Sequence, residues 1–203
     1  MKQHVPPVDQ IERILQGNKA HARRTLEADP EFFKGYADKQ RPGVLWIGCA
    51  DSRVPETTIS DSKPGEIFVH RNIANVVNTD EVGANSVLDF AVGNVKVQKI
   101  VVCGHTNCGG AAAALGDANL GPNLNKWIEP LRELRKSHQG ELDKLKTDYL
   151  RGLRVVELNV QRSVKNVKAN ATVQQAMKGR GLTVHGFVYD IPTGELRALD
   201  TAE

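Results

Sequence analysis

Four short apolar runs, separated by longer amphipathic stretches, place the strongest constraint on how this chain folds. The runs are Val44–Cys49, Ile67–His70, Lys99–Gly104 and Val184–Asp190. Short apolar runs of this kind, the first directly behind Pro42-Gly43, are typical of strands buried in a sheet. We therefore predict four buried strands.

The stretches between these runs carry apolar residues at helical spacing or begin at residues that favour helix starts. We take Thr79 and Thr172 as N-caps and Gly140 as a helix break. The pattern predicts helices over the following ranges: Val8 to about Arg24, Thr79 to about Val95, Asn123–Lys136, Glu141 to about Leu150, Arg154–Lys168, and from Thr172 to about Gly179.

Strands that alternate with helices predict an α/β fold with a mostly parallel central sheet and flanking helices. After the turn Pro192-Thr193-Gly194, Leu196–Leu199 completes a C-terminal hairpin that adds an antiparallel edge strand. The length of 203 residues suggests one domain, with residues 1–40 as an N-terminal helical arm and residues 41–203 as the α/β core. The arm is rich in charge, so we expect it to pack on a partner subunit.

Composition argues against nucleic-acid and membrane partners. The 27 Lys and Arg residues exceed the 24 Asp and Glu residues by three, and aromatic residues make up 5% of the chain, which gives little support to nucleic-acid binding. The sequence has no run of 18 apolar residues, and its first residues lack the apolar core of a signal peptide. Three cysteines cannot all pair, so we expect a cytoplasmic protein that uses cysteine for metal binding or catalysis.

Two polar loops follow two of the predicted strands. The first contains Cys49, Asp51 and Arg53, and the second contains His105 and Cys108. Ligands of open α/β sheets bind at the carboxyl ends of strands, where both loops are expected to lie. Two thiols and one imidazole suit zinc, and a site with three such ligands leaves a fourth position for water.

Other interpretations of the same residues remain open at this point. Buried cysteines often serve as small apolar residues, which we favour for the mid-strand Cys103. A second interpretation of Asp51 and Arg53 is a simple ion pair within a turn, and a second interpretation of His105 is a cap on the helix that follows Cys108. A cysteine nucleophile with His105 as its base is also possible, but it leaves the second thiol without a role.

The two loops and their flanking segments resemble the β-class carbonic anhydrases. C-x-D-x-R followed by H-x-x-C-G-G carries the resemblance, and the segments LWIGCADSRVPE, EIFVHRNIANVV, IVVCGHTNCGG and HGFVYDIPTG extend it over Val44–Leu199. Ala50 stands where Ser is commoner in the family. The combination of motifs is specific, whereas C-x-D-x-R alone would be weak.

The resemblance implies reversible hydration of carbon dioxide to bicarbonate and a proton by zinc-bound hydroxide. It implies one Zn²⁺ per chain on Cys49, His105 and Cys108, with Asp51 and Arg53 as a catalytic pair. Arg53 would hold Asp51 away from the metal, and Asp51 would orient the water in the open state and become a fourth ligand in a closed state. The implied substrate pocket includes Phe68, Val87 and Gly109.

The resemblance also implies regulation and assembly. Trp46, Arg71 and Tyr189 match residues that mark a second, non-catalytic bicarbonate site, whose occupation would favour the closed state. Taken singly, the two aromatic residues would be expected only to pack within strands. Resembling enzymes are homodimers or dimers of dimers with the active-site cleft at the subunit boundary.

Two rival functions follow from the same residues. A sulfur analogue such as carbon disulfide is a conceivable substrate, because fold and ligands do not fix the substrate. A non-catalytic, zinc-stabilised binding protein would need its fourth metal position filled. Such a protein has no use for Arg53, so its presence favours an enzyme.

Overall fold

The computed structural model describes residues 9–201, and residue contacts divide the chain into two compact units, Met1–Gln40 and Arg41–Glu203. In the first unit, helix α1 spans Gln10–Ala28 and helix α2 spans Phe32–Ala37. The predicted helix start at Val8 lies outside the described residues. Asp9 caps α1, since its carboxylate accepts a hydrogen bond from the backbone N–H of Ile11 at 2.9 Å.

The second unit is built on one five-stranded sheet. Its strands are β1 Val44–Cys49, β2 Ile67–Asn72, β3 Lys99–His105, β4 Thr183–Asp190 and β5 Glu195–Leu199. The spatial order is β2-β1-β3-β4-β5, in which all neighbours run parallel except the antiparallel pair β4–β5. The predicted α/β fold with a C-terminal antiparallel edge strand is confirmed.

Within residues 41–201, seven α-helices flank the sheet, and a short 3-10 turn forms at Ile73–Asn75. They are α3 Glu56–Ile59, α4 Val82–Leu88, α5 Gly109–Ala114, α6 Pro122–Ser137, α7 Gln139–Leu142, α8 Asp148–Ala169 and α9 Ala171–Arg180. A π-helical segment, Asp89–Val95, continues α4 directly. Among residues 9–201, no helix is long and apolar enough to cross a membrane.

Several predicted helix boundaries were wrong. Glu81, and not Thr79, caps α4, because its carboxylate accepts hydrogen bonds from two backbone N–H groups of the first turn. Asn170, and not Thr172, caps α9. The predicted helix Glu141–Leu150 does not form: Gly140 lies inside the short α7, and α8 already begins at Asp148.

The sheet separates two apolar clusters. The main cluster lies on the face of Leu45, Ile47 and Val102, and the smaller cluster contains Trp46, Val101 and Cys103 from alternate positions of β1 and β3. Helix α8 packs on β3 and β4 at close range. A Cβ atom at Gly104 would lie 2.5 Å from Val156 Cγ1, so glycine is what permits this approach.

Candidate active site

The central pair of parallel strands brings the two polar loops together. Cys49 is the last residue of β1, and His105 is the last residue of the neighbouring β3. Cys108 directly precedes α5. The ligand atoms of these three residues all lie within 4.8 Å of one another, and all three side chains are buried. The structure therefore brings together the three residues that the sequence singled out.

The imidazole of His105 is oriented as a metal ligand would be. Its Nδ1–H donates to the carbonyl oxygen of Thr106 at 2.9 Å, which leaves a lone pair on Nε2. Nε2 is buried and has no hydrogen-bond partner among the described residues. A buried acceptor nitrogen beside two thiols fits a zinc ion in both ligand type and tautomer.

The three cysteines differ in acidity. A hydrogen bond from Cys108 lowers the pKa of Cys49 to about 4, although burial acts in the opposite direction. The same contact, together with burial, raises the pKa of Cys108. Cys103 lies in the smaller apolar cluster, where burial raises its pKa to about 12. Because the thiolate is the form that binds metals, the reactive sulfur lies at the Cys49–Cys108 pair and not at Cys103.

Asp51 and Arg53 form a two-pronged ion pair at the edge of this cluster. Arg53 Nε donates to Asp51 Oδ1 at 3.0 Å and Nη2 donates to Oδ2 at 2.7 Å, while the backbone N–H of Arg53 also donates to Oδ1. Asp51 Oδ2 lies 3.9 Å from His105 Nε2. These hydrogen bonds hold the pKa of Asp51 well below its usual range. The carboxylate is therefore ionised and turned toward the arginine.

Arg53 also connects the two loops. Its Nη2 donates to the carbonyl oxygen of Asn107 at 3.1 Å. Asn107 adopts a left-handed backbone conformation with φ of 57°, which shapes the short turn between His105 and Cys108. One guanidinium thus fixes the carboxylate and the turn that carries two of the three clustered side chains.

Arg71, at the carboxyl end of β2, braces the first loop from the other side. Its guanidinium donates to the carbonyl oxygens of Cys49 at 2.8 Å and Asp51 at 2.5 Å. Trp46 and Tyr189 meet at the smaller apolar cluster, on the face of Cys103. The structure therefore places Arg71 against the Cys49–Asp51 backbone and the two aromatic residues in one cluster.

The predicted pocket residues lie on three different elements. Phe68 on β2 and Val87 on α4 are partly buried against the main cluster, and Gly109 is the first residue of α5. The ring of Phe68 lies 5.9 Å from that of Phe90. A cavity of about 610 Å³ opens beside Cys108, and its walls include Asn107, Leu115, Tyr149 and Leu153.

The sequence did not reveal the contacts that surround Cys49. The backbone N–H of Ala74 donates to Cys49 Sγ at 3.4 Å, and the buried Asn159 of α8 donates to the carbonyl oxygen of Ala74 at 2.8 Å. Trp127 of α6 donates from Nε1 to the carbonyl oxygen of Ile73 at 2.8 Å. Asn159 and Ser163 are the two polar residues among the buried positions of α8, and those polar positions in a mainly apolar stripe were the available signal.

Comparison with known proteins identifies the family. A family model described as carbonic anhydrase matches residues 44–196. The chain belongs to the β-carbonic anhydrase family. It is 46% identical over 190 residues to a carbonic anhydrase of Emericella nidulans, covering 93% of this chain and 83% of that protein.

Solved structures agree with this assignment. Tetrameric β-carbonic anhydrases from Sordaria macrospora include a chain with a TM-score of 0.93 and 42% identity, with 95% of this chain and 98% of that chain covered. The β-carbonic anhydrase CafA of Aspergillus fumigatus also gives a TM-score of 0.93, at 45% identity, with 96% of this chain and 93% of that chain covered. The predicted family and enzyme class, carbonic anhydrase, are confirmed.

Proposed function

We propose that this β-carbonic anhydrase hydrates carbon dioxide reversibly to bicarbonate and a proton, with one Zn²⁺ per chain held by Cys49, His105 and Cys108. The convergence of these three buried side chains beside an ionised carboxylate carries the proposal. Zinc bound there would supply a water whose pKa is lowered toward neutrality. Since two thiolates offset the charge of the ion, the surrounding residues matter for that acidity.

Asp51 supplies the orientation of that water. Its Oδ2 is within 3.9 Å of His105 Nε2, and an ionised carboxylate accepts hydrogen bonds without donating any. A water beside His105 would therefore donate one hydrogen to Asp51 and direct a lone pair toward carbon dioxide. Phe68, Val87 and Gly109 are proposed to contribute to the apolar substrate pocket.

Arg53 is proposed to control whether the site is open. In the structure both oxygens of Asp51 accept hydrogen bonds from Arg53, and we take this pairing as the open arrangement of the proposal. If Asp51 rotated toward the ligand cluster, it would fill the fourth metal position and exclude water. Hydroxide competes better for that position as pH rises, so activity is expected to increase with pH.

Bicarbonate is proposed to favour the closed arrangement by binding near Trp46, Arg71 and Tyr189. The hydrogen bonds of Arg71 to the carbonyl oxygens of Cys49 and Asp51 support this. An anion that drew the guanidinium away would release the backbone that carries Asp51. Binding that prefers the closed state shifts the population toward it.

We also propose a homodimer or a dimer of dimers in the cytoplasm, with residues 1–40 as an arm on the residues 41–203 core of a neighbouring subunit. The apolar side chains of Ile11, Ile14 and Leu15 on α1 are exposed, which supports an arm that needs a partner surface. The three cysteines form no disulfide, in keeping with a reducing compartment.

Metal analysis combined with stopped-flow carbon dioxide hydration tests the proposal. We expect one zinc per chain and measurable hydration in the wild type. Cys108→Ser should lose both, because an un-ionised hydroxyl is a poor zinc ligand. Cys103→Ala, which alters a thiol in the smaller cluster, is the matched control and should retain both. Fully active protein with a zinc content near zero would refute the proposal.

A further inference from the structure

A single peptide group joins helix α6 to the candidate ligand Cys49. The carbonyl oxygen of Ile73 accepts a hydrogen bond from Trp127 Nε1 at 2.8 Å, and the N–H of the same peptide, contributed by Ala74, donates to Cys49 Sγ at 3.4 Å. The peptide unit is planar, so its two ends keep a fixed relative orientation. The indole and the sulfur are therefore coupled through one rigid group.

The turn that contains this peptide is held firmly in an unusual conformation. Ala74 has φ of 60° and Asn75 has φ of 48°, and consecutive left-handed residues other than glycine persist where their surroundings hold them. Asn159 Nδ2 binds the carbonyl oxygen of Ala74 at 2.8 Å. A Cβ atom at Gly110 would lie 2.9 Å from Ala74 Cβ, so α5 leaves the turn no room on that side.

We propose that Trp127 is a positioning residue that tunes Cys49 as a metal ligand through the Ile73–Ala74 peptide. This inference rests on the proposed function, which makes Cys49 a zinc ligand. A donor on the carbonyl oxygen polarises the peptide and strengthens its N–H as a donor. That N–H draws electron density from the sulfur, so the thiolate transfers less charge to the metal.

The direction of the effect follows from charge. Two thiolates make the metal a weak Lewis acid, and a hydrogen bond into one of them restores part of its acidity. Trp127 therefore lowers the pH at which the enzyme becomes active. Since Trp127 is partly buried against the main cluster, packing is the competing explanation for any effect of its loss. Trp127→Phe separates the two, because it retains an aromatic ring and removes the N–H.

Cobalt substitution gives a readout that does not depend on turnover. Co²⁺ alone is added to metal-free protein, and the thiolate-to-cobalt charge-transfer absorption is recorded. In Trp127→Phe we expect this band at longer wavelength than in the wild type, because the sulfur is richer in electrons. For the zinc enzyme we expect the pH–rate profile to move to higher pH, with a loss at neutral pH of about tenfold or less, the lower end for outer contacts of metal ligands.

Ser163→Ala is the matched control for general loosening of the same turn. The buried Ser163 hydroxyl donates to the carbonyl oxygen of Asn75 at 3.4 Å and accepts from the N–H of Val77 at 3.3 Å. Neither bond involves the Ile73–Ala74 peptide. This variant is expected to unfold at a lower urea concentration while keeping the wild-type cobalt band and pH profile.

The outcomes are distinguishable. A Trp127→Phe band and pH profile that superimpose on those of the wild type overturn the inference. An equal shift in Ser163→Ala also overturns it, since loosening alone would then suffice. If the wild type itself shows no thiolate-to-cobalt band, the proposed zinc site fails, and the role of Trp127 fails with it.

Discussion

Arg53 makes more contacts at the site than any pairing of two charges requires. It binds both oxygens of Asp51 and also the carbonyl oxygen of Asn107. An ion pair that only stabilised a turn would need the bonds to Asp51 but not the bond to Asn107. The additional bond ties the carboxylate to the loop of His105 and Cys108, which supports a role in setting the geometry of the whole cluster.

Arg53→Ala should therefore retain zinc but lose activity by roughly 10- to 100-fold, the range typical of residues that orient metal ligands and their partners. Arg53→Lys should recover little, because an ammonium group cannot replace a planar two-pronged donor. Hydration rates measured from pH 6 to 9, with zinc content measured in parallel, check this. Near-native turnover in the alanine variant would exclude an essential role.

We do not expect the proposed rise of activity with pH to come from titration of Asp51. The hydrogen bonds from Arg53 keep its pKa well below the usual range, so it is ionised at any pH at which the enzyme would be assayed. We therefore attribute the proposed increase of activity with pH to the water in the site or to the position of Asp51. The low pKa of Asp51 therefore favours a mechanism in which the carboxylate changes position over one in which it gains a proton.

The regulatory hypothesis predicts that inhibition by bicarbonate exceeds simple product competition and is strongest at low pH. Tyr189→Phe removes one hydroxyl from a partly buried residue and should relieve this inhibition without changing zinc content. Arg71→Ala should relieve it too, but its loss also frees two loop carbonyl oxygens, so basal activity is expected to fall. Steady-state hydration rates, measured at increasing concentrations of added bicarbonate, test this prediction. Wild-type inhibition curves in both variants would end the hypothesis.

Single residues also show where sequence reasoning stops. The convergence of Cys49, His105 and Cys108 was predictable, because each lies at or just after a strand end. The hydrogen bond from Trp127 to Ile73 was not predictable, because the two residues are 54 positions apart and Trp127 lies in a segment outside the recognised motifs. Arg71 was matched to a bicarbonate site, but its bonds to loop carbonyl oxygens follow from the fold alone.

At the scale of elements, strand positions were predictable, whereas most helix starts were not; α6, predicted from Asn123 and observed from Pro122, is an exception. β1 forms at the predicted residues because a run buried on both faces has one possible location. Helix starts depend on which nearby polar side chain is available. Asn170 caps α9 through Oδ1, which accepts from the N–H of Val173, so Thr172 lies inside the helix, where its hydroxyl donates to Asp89.

The contact between α8 and β3 gives the sharpest prediction about stability. In Gly104→Ala the new Cβ would approach Val156 Cγ1 to 2.5 Å and Val160 Cγ2 to 2.9 Å, so the helix or strand must shift. We expect the free energy of unfolding to fall by about 1–3 kcal/mol, as is typical of overpacked cores. Urea unfolding followed by circular dichroism measures this.

Gly179→Ala is the matched control for that substitution. Gly179 lies in α9, and a Cβ atom there would meet nothing within 4 Å. Alanine is the better helix former by about 1 kcal/mol, so this variant should be as stable as the wild type or more so. Equal stability losses in the two variants would mean that the close approach at Gly104 is not the cause.

At the scale of the whole molecule, strand order creates the site. β1 and β3 are neighbours at the centre of the sheet although β2 lies between them in sequence. Their parallel carboxyl ends bring Cys49 and His105 together across 56 residues of chain. Sequence patterns predicted the fold class and the final hairpin, whereas the order of strands depends on crossover connections that leave no local signal.

Assembly is the remaining property at this scale, and α1 is the element that tests it. Ile11, Ile14 and Leu15 are 65%, 57% and 58% exposed and lie on one side of the helix. Three large apolar side chains on one exposed helix face favour association with another surface. We therefore expect sedimentation of the wild type at micromolar concentration to show no monomer.

Leu15→Glu should shift the sedimentation of the protein toward smaller species, because it places a charge within the apolar face of α1. Gln16→Glu is matched in charge and helix but lies off that face, so it should sediment as the wild type does. Measuring hydration on the separated species then links assembly to function, since a cleft at the subunit boundary requires the neighbour. A wild-type monomer that is stable and fully active would contradict both the arm and the shared cleft.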